Sequence, residues 1–351
     1  MTLSELENVN FEPLNPINYP GWDKLLETNS VASFFHSSIW SKVLADTYKY
    51  KPLYFTTLVD GQMQCLIPMM EVDSILTGRR GVSLPFSDYC EPIISEQHCV
   101  ENAVESLVNF GRKAGWKYFE LRIGGGLPED WPVYKSFYGH RLSLLQDSAT
   151  IFSGLKRTVK QNINKAQRKE VQVEEGSSLS SLKEYYRLNC VTRKRHGLPP
   201  QPFSFFKSIF DNIISQKLGL VLLAYYKNIP IAGGMFFQFD DKVIYKYNAL
   251  DKKFQDLRPN DLITWWAIKR FCKEGFKNFS FGRTETSNEG LRRFKKGWGV
   301  EESIIRYYRY IFSQEKFVEG PEREISNIFL FKKMPIPLLK MAGTLLYKHI
   351  G

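Results

Sequence analysis

The strongest constraint on the fold of this chain is a pattern that occurs in both halves of its sequence. The segments FGRKAGWKYFELRIG (110–124) and RFCKEGFKNFSFGRT (270–284) each read as a helix end, a glycine, an aromatic residue, a lysine and a short alternating strand. A helix that ends on glycine and leads into a strand forms an αβ unit. The sequence therefore predicts that one αβ unit is present twice.

A β-hairpin is predicted upstream of each αβ unit. The first, PLYFTTLVDGQMQCLIPMM (52–70), turns at Asp60-Gly61. The second, GLVLLAYYKNIPIAGGMFFQF (219–239), turns near Lys227-Asn228. Asp-Gly between alternating apolar residues is a strong signal for a two-residue hairpin turn. Both halves are therefore expected to place a hairpin next to the strand of the αβ unit.

The order of the elements defines the predicted domains. Aromatic-rich segments at 34–48 and 179–197 are predicted to be helical, so each half reads helix, hairpin, helix, strand. Three elements in the same order favour two tandem copies of one α/β (α+β) domain. Each copy is expected to be a mixed, mostly antiparallel sheet flanked by helices. We place the two domains at 1–150 and 151–320, and a C-terminal amphipathic tail at 321–351.

The composition excludes several classes of protein. Hydrophobic residues make up 43% and charged residues 24% of the 351 residues, which is typical of globular domains. The five cysteines form no C-x-x-C pair and no H-E-x-x-H motif occurs, so neither a disulfide framework nor a metal site is expected. No signal segment and no apolar run long enough to span a membrane is present. We expect a cytoplasmic protein, with attachment to the inner membrane face as an alternative.

The chain is basic, with a formal net charge of +11. An anionic partner such as RNA, a phosphorylated substrate or acidic lipid would explain this charge, and so would solubility alone. The segment LKRTVKQNINKAQRK (155–169) is predicted to be a cationic amphipathic helix, either with a solvated face or as a phosphate or RNA contact. The segment MPIPLLKMAGTLLYKHIG (334–351) either docks on the protein or lies on a membrane surface.

Several segments carry a resemblance to a known family of transferases. They are LKRTVKQNINKAQRKEVQV (155–173), TRKRHGLPPQPFSFF (192–206), IYKYNAL (244–250), LRPNDLITWWAI (257–268) and FSFGRTETSNEGLRRFKKGWG (279–299). Together they resemble the FemAB/FemX peptidyltransferases of the GNAT superfamily and relatives with a BioF2-like acetyltransferase domain. The resemblance covers most of residues 30 to 312, and it implies two tandem GNAT-like domains with the active site in the second.

The resemblance also implies a reaction, the transfer of an activated acyl group to an amine. In the best-known members the donor is an aminoacyl-tRNA and the acceptor is the peptide stem of a cell-wall precursor. The leading hypothesis is therefore an acyl- or aminoacyltransferase that acts on a peptidoglycan or polysaccharide precursor without a bound cofactor. One alternative is an N-acyltransferase that uses acyl-CoA or an acyl carrier in surface polysaccharide synthesis. The other is a non-catalytic protein that binds tRNA or a lipid pyrophosphate.

Three residues are predicted to carry the chemistry. Aminolysis of an ester passes through an oxyanion, and a fixed cation in a dry site stabilises that charge. Lys295 fits this role, with Phe294 excluding water and Gly297 and Gly299 allowing a tight turn; the alternative is a surface lysine next to Lys296. By resemblance, the lysine of the family's Phe-Lys pair maps to Lys295. Glu285 could accept a proton from the attacking amine or pair with the nearby Arg283.

The predicted substrate-binding residues come from both halves of the chain. Arg283 follows a predicted strand at the end where open α/β sheets bind ligands. Asn260 is expected to cap a helix whose N-terminus can bind an anion. By resemblance, Tyr247 contacts the nucleotide end of the acceptor, and Arg195 matches the family's Arg-His-Gly; a core position is the alternative for Tyr247. Asp88 is predicted to lie in a turn that lines a cleft.

One departure bears on the donor. GNAT enzymes that use coenzyme A carry a glycine-rich loop between the central strand and the following helix, and its amides hold the pyrophosphate. The corresponding segment here is DLRPND (256–261), which contains no glycine. Coenzyme A is therefore expected to be a less suitable donor than aminoacyl-tRNA.

Overall fold

The computed structural model describes residues 11–95, 98–123, 131–320 and 328–351. Its strands are β1 (Pro13–Leu14), β2 (Lys51–Val59), β3 (Gln62–Val72), β4 (Arg80–Val82), β5 (Ile93–Ile94), β6 (Tyr118–Ile123), β7 (Lys135–Ser143), β8 (Gln172–Glu175), β9 (Gly219–Tyr226), β10 (Ile229–Phe239), β11 (Lys242–Leu250), β12 (Asn278–Glu285), β13 (Glu301–Ile311) and β14 (Lys316–Val318).

Its α-helices are α1 (Trp22–Glu27), α2 (Ser38–Tyr48), α3 (His98–Lys113), α4 (Ser148–Gly154), α5 (Arg157–Arg168), α6 (Leu179–Arg195), α7 (Phe203–Ile209), α8 (Pro259–Lys273), α9 (Glu289–Lys296), α10 (Ile328–Lys333) and α11 (Ile336–Ile350). Short 3-10 helices cover Pro16–Asn18, Phe34–His36 and Lys252–Leu257, and a π-helical turn at Phe210–Ile214 continues α7. The predicted helices at 34–48, 155–169 and 179–197 are present with slightly shorter bounds.

The chain divides into two compact units. The first comprises Met1–Phe137, Ile304–Glu324 and Tyr347–Gly351, and the second comprises Tyr138–Ser303 and Ile325–Leu346. The sequence placed the join near residue 150 and the last long strand in the second domain, so the units differ from the predicted ranges. The reason is strand pairing: Arg306–Ile311 of β13 pairs antiparallel with Tyr118–Ile123 of β6. Residues 321–327 of the predicted tail lie outside the described part of the chain.

The first unit contains a mixed sheet in the order β1-β2-β3-β4-β6-β13, with β5 paired to β3 and β14 to β13. Its neighbours are antiparallel except β4 and β6, which run parallel. The hairpin of β2 and β3 turns at Asp60 and Gly61, both with positive φ, as the sequence predicts. Helix α3 packs Val100, Ala103 and Leu107 into the core that also contains β6.

The second unit repeats this architecture in the order β7-β12-β11-β10-β9-β8. Strands β8 to β11 are antiparallel neighbours, whereas β11 and β12 run parallel. The predicted hairpin of β9 and β10 turns at Lys227 and Asn228. In both units a helix, α3 or α8, leads into the strand of the parallel pair. The predicted fold class, a mixed and mostly antiparallel sheet flanked by helices, is confirmed.

The parallel pair of the second unit is short, and this positions the candidate site. Lys242–Ile244 of β11 pair with Asn278–Ser280 of β12, and in these two fully described strands the pairing stops there. The remaining residues, Tyr245–Leu250 and Phe281–Glu285, extend toward the carboxyl ends of the two strands without pairing to each other. Ligands of open α/β sheets bind at such ends.

Helix α11 has one face packed on the protein. Leu339 and Tyr347 are buried, and the Lys340 ammonium lies 5.1 Å from the centre of the Tyr186 ring. At its end, Ser74 Oγ and His349 Nδ1 are 2.9 Å apart and Tyr50 Oη donates to Tyr347 O. The tail therefore docks on the protein through this face of α11, as one of the two predictions for it stated. No helix among the described residues is long and apolar enough to cross a membrane.

Candidate active site

Lys295 is a buried cation held by the backbone of the neighbouring strand. It lies in the last turn of α9, a helix that begins where Asn288 Oδ1 accepts a hydrogen bond from Leu291 N. Only 5% of Lys295 is exposed, and its Nζ donates to Gly282 O at 3.0 Å and to Arg283 O at 2.9 Å. Lys296 beside it is exposed. Lys295 is therefore not a surface lysine, and its charge is fixed at the carboxyl-terminal part of β12.

Aromatic packing holds the end of α9 in place. Trp298 is fully buried, with ring centroids 6.0 Å from Phe281 and 6.2 Å from Phe294. Phe294 is partly buried against the same core, on the residue directly before Lys295. This packing removes water from one side of the helix end that carries Lys295.

The role expected of Gly297 was wrong. Its φ is −66°, an ordinary helical value, whereas Gly299 has φ +75°. Gly297 is needed for space instead, because a Cβ there would lie 2.7 Å from Cγ2 of Val159 on α5. Lys156 N, at the start of α5, also donates to Gly297 O at 3.0 Å. The basic helix therefore packs directly against the segment that carries Lys295.

Arg283 and Glu285 lie within β12 rather than after it. Because side chains alternate along a strand, Arg283 and Glu285 share one face and Thr284 lies on the other. Arg283 is half-buried, Glu285 is exposed and Thr284 is buried. The structure joins Arg283 to Lys295 through the Arg283 carbonyl and leaves the Glu285 carboxylate accessible to solvent.

A buried polar cluster beneath β12 was missed by the sequence analysis. His140 of β7 is 2% exposed, and its Nε2 lies 3.1 Å from Thr284 Oγ1. Its Nδ1 makes no hydrogen bond within the described residues and lies 3.8 Å from Glu302 Oε2. Arg292 of α9 donates to both Glu302 oxygens, at 2.9 and 2.7 Å. The sequence did carry one signal for this cluster. His140 precedes Leu142 and Leu144 at intervals of two residues, so in a strand its side chain lies on the same buried face.

The electrostatics of this cluster keep His140 neutral. Burial and, to a smaller extent, the positive charge of Lys295 lower the pKa of His140 to about 4, against the opposing effect of Glu302. The hydrogen bonds from Arg292 hold the pKa of Glu302 below its usual value. A neutral imidazole can exchange a hydrogen bond with the Thr284 hydroxyl, and it adds no second positive charge beside Lys295.

Two other predicted residues, Tyr247 and Arg195, lie on β11 and α6 of the second unit. Tyr247 is half-buried, and its ring is edge-on to Phe205 and Phe206 at 6.2 and 5.8 Å. Thr192 Oγ1 accepts a hydrogen bond from Leu250 N at 2.8 Å, which holds the end of α6 at the end of β11. Arg195, one turn further along α6, is half-buried with Nη2 3.2 Å from His196 Nε2.

The prediction that Asn260 caps α8 was wrong. The helix begins at Pro259, and the capping position is Arg258, with φ +58° and no capping hydrogen bond from its side chain. Proline is favoured as the first helical residue because it has no N–H to satisfy and its φ is already helical, so the helix begins one residue before Asn260. Asn260 Oδ1 is buried and makes no hydrogen bond within the described part of the chain.

Asp261 is a buried acid at the same helix start. Its Oδ1 accepts a hydrogen bond from Asn162 Nδ2 of α5 at 3.2 Å. Burial raises the pKa of Asp261 to about 6, although Asn162 and Arg258 act in the opposite direction. The first turn of α8 therefore contains its own carboxyl group, and Pro259 supplies no backbone N–H there.

Asp88 belongs to the first unit. It is half-buried, and its main-chain carbonyl accepts a hydrogen bond from Tyr307 Oη at 2.8 Å. The other predicted site residues lie in the second unit. No group of His, Cys, Asp or Glu side chains that could hold a metal ion occurs in residues 11–95, 98–123, 131–320 and 328–351.

The second half of the chain resembles a known domain family. Residues 153–296, which include Phe294 and Lys295, match the family model described as Acetyltransferase (GNAT) domain. This part of the chain is similar to GNAT acetyltransferase domains. No curated protein matches the sequence.

Solved structures extend the likeness to both units. FemX is 14% identical, with a TM-score of 0.65 over 83% of this chain and 95% of its own. L-PGS from Bacillus licheniformis is 12% identical, with a TM-score of 0.53 over 97% and 99%. A tandem GNAT protein from the clavulanic acid biosynthesis pathway is 7% identical, with a TM-score of 0.56 over 89% and 99%. The likeness at these identities is one of fold, and the predicted GNAT- and FemX-like fold is confirmed.

Proposed function

We propose that this chain is an acyltransferase that forms an amide bond between an activated donor and an amine of a cell-envelope precursor. Aminoacyl-tRNA is the proposed donor, and a peptidoglycan stem or polysaccharide precursor is the proposed acceptor. The observation that carries the proposal is the buried Lys295 ammonium at the carboxyl end of β12, within the GNAT-type domain. The net charge of +11 suits anionic substrates of this kind.

The reaction makes one demand that Lys295 meets. The amine nitrogen attacks the ester carbonyl, and the carbonyl oxygen becomes an oxyanion. The C–O bond to the tRNA ribose then breaks as the amide forms, and the proton lost by the amine ends on the released ribose oxygen. A cation fixed before the reaction stabilises the oxyanion without reorganisation. Two carbonyls and the Phe294–Trp298 packing fix the Lys295 ammonium in this way. We assign Glu285 as the acceptor of the amine proton because it shares the strand and is exposed.

The remaining predicted residues are proposed to bind the substrates. Arg283, on the face of β12 that Glu285 shares, would pair with a phosphate of donor or acceptor. We assign Tyr247 in β11, Asn260 in the first turn of α8 and Arg195 at the end of α6 to acceptor binding. Asp88 of the first unit stays a predicted substrate-binding residue.

Two features support a donor other than coenzyme A. The start of α8 has Pro259 in place of an amide donor, and the buried Asp261 carboxyl lies in its first turn. Both weaken the site at which a helix N-terminus would hold a pyrophosphate. FemX and a lysylphosphatidylglycerol synthetase are among the proteins of similar fold, which supports an acceptor from the cell envelope.

The test compares two neighbouring lysines. The chain is incubated with tRNA charged with labelled amino acids and with extracted envelope precursors, and products are identified by mass spectrometry. Lys295→Met is expected to lower the rate about 10²- to 10³-fold, the usual effect of removing one oxyanion donor. Lys296→Met, at an exposed position, is the matched control and should retain the wild-type rate. Full activity of a folded Lys295→Met variant would overturn the assignment.

One observation favours a second function, because the matching family model is described as an acetyltransferase. In that case acetyl-CoA would raise the thermal midpoint of the protein, and transfer to an amine would proceed without tRNA. The arrangement at Pro259 and Asp261 argues against it. A third function, non-catalytic binding of tRNA or a lipid pyrophosphate, would give salt-sensitive RNA binding and no product with either donor.

A further inference from the structure

The C-terminal helix α11 exposes apolar side chains on the face that points away from the protein. Leu338, Met341 and Leu345 are 52%, 61% and 61% exposed. Their spacing of three and four residues places them in one row along the helix. Single exposed apolar residues are common on protein surfaces, but an aligned row of three over two turns is an apolar patch that water does not favour.

The row is not a side effect of a helix that packs poorly. The opposite face is in close contact with the second unit, where a Cβ at Gly343 would lie 1.9 Å from Pro200 O. Leu339, on that face, is fully buried. The helix therefore has two apolar faces, one that anchors it and one that is left exposed.

The charge of this segment is one-sided. Residues 328–351 contain Lys332, Lys333, Lys340 and Lys348 and no acidic residue. Lys332 and Lys333, just before the helix, are exposed. Lys348 is exposed and lies three residues after Leu345, so it stands on the same face of the helix at the end of the apolar row. Apolar side chains bordered by lysines are the pattern of a helix that lies at the surface of an anionic bilayer.

We propose that α11 docks this chain on an anionic membrane surface through Leu338, Met341 and Leu345. The three side chains enter the boundary between headgroups and acyl chains, and the lysines contact the anionic headgroups. The proposal concerns binding alone and does not depend on the transfer reaction or on Lys295. It commits to a lipid surface because an uncharged protein partner would give no reason for the lysines that border the row.

The test is co-sedimentation of the full chain with vesicles, either of phosphatidylglycerol and phosphatidylcholine or of phosphatidylcholine alone. We expect binding to the anionic vesicles that weakens as salt is raised. The triple variant Leu338→Gln, Met341→Gln, Leu345→Gln should bind at least about tenfold more weakly. Because each lysine near an anionic surface contributes roughly fivefold, Lys332→Gln, Lys333→Gln, Lys348→Gln should lower binding on the order of a hundredfold.

A matched pair of single variants is the control. Leu345→Gln should weaken vesicle binding, whereas Leu145→Gln, at a leucine that is 75% exposed outside α11, should not. Circular dichroism and the thermal midpoint should stay unchanged in all these variants, because the replaced side chains are mostly solvated. Equal vesicle binding by wild type and the triple glutamine variant would overturn the proposal. A second result would also overturn it: the wild type binds no vesicles but forms a concentration-dependent dimer, and the triple glutamine variant is monomeric. In that case a second copy of the chain covers the apolar row.

Discussion

Replacing His140 by glutamine tests whether the polar cluster beneath β12 holds a neutral imidazole. In the folded chain the pKa of His140 is lowered to about 4, below the value of 6.5 for an unperturbed histidine. The unfolded chain therefore takes up a proton between these two pH values, and the folded chain does not. Folding stability that His140 contributes is fully present above pH 6.5 and is lost as the pH falls toward 4.

The magnitude follows from the two pKa values. At 1.36 kcal/mol per pKa unit the full effect is about 3 kcal/mol, and it is reached only near pH 4. Between pH 7 and pH 5 the wild-type chain should lose about 2 kcal/mol of unfolding free energy from this residue alone. Glutamine cannot take up this proton, so between pH 7 and pH 5 the His140→Gln variant should lose about 2 kcal/mol less unfolding free energy than the wild type. Glutamine can still form a hydrogen bond with Thr284 Oγ1, so the variant is expected to fold.

The assay is urea unfolding followed by tryptophan fluorescence, at pH 7 and pH 5, for both proteins. His196 and His349, whose pKa values are also lowered by burial, are present in both proteins, and their effects cancel in the comparison. Parallel losses of stability in the two proteins would refute the reasoning. A greater loss in the variant would show instead that His140 is protonated and paired with Glu302, which is 3.8 Å away.

Two further predictions concern α5 and its contacts. Gly297→Ala should destabilise the chain by about 1–3 kcal/mol, because the new Cβ would lie 2.7 Å from Val159 Cγ2. In urea unfolding, the additional substitution Val159→Ala should recover part of this loss. A Gly297→Ala variant as stable as the wild type would contradict the contact. Asp261→Asn should stabilise the chain by up to about 3 kcal/mol at pH 8 and by little at pH 4. Burial raises the pKa of Asp261 in the folded chain to about 6, so the wild-type chain loses stability as the pH rises from 3.8 through 6. A larger stabilisation by Asp261→Asn at pH 4 than at pH 8 would refute this prediction.

Local sequence signals were sufficient for the elements that both halves of this fold share. Asp60-Gly61 and Lys227-Asn228 take the positive φ values that a two-residue hairpin turn needs. Gly115 and Gly275 follow the helices that lead into β6 and β12, also with positive φ. These preferences act over a few residues and require no knowledge of the rest of the chain, so the repeat of helix, hairpin, helix and strand could be predicted.

Signals that depend on a competing local preference were less reliable. Asn260 has a good capping side chain, but Pro259 before it is an equally good first helical residue, and the proline determined where α8 begins. Gly297 was expected to turn the chain, yet its φ is helical and its role is to admit Val159 from another helix. A glycine in a sequence does not reveal whether it serves conformation or space.

The sequence by itself determined the two αβ units, their hairpins and the segment in which a lysine follows a phenylalanine. Only the tertiary structure decided that Lys295 is buried against the carbonyls of Gly282 and Arg283. It also brought His140 of β7 to Thr284, 144 positions further along the chain. Pairings of this kind depend on which strands become neighbours in the sheet. Burial then sets the charge states of the paired side chains. Neither the strand pairing nor the burial can be predicted from the few residues around each side chain.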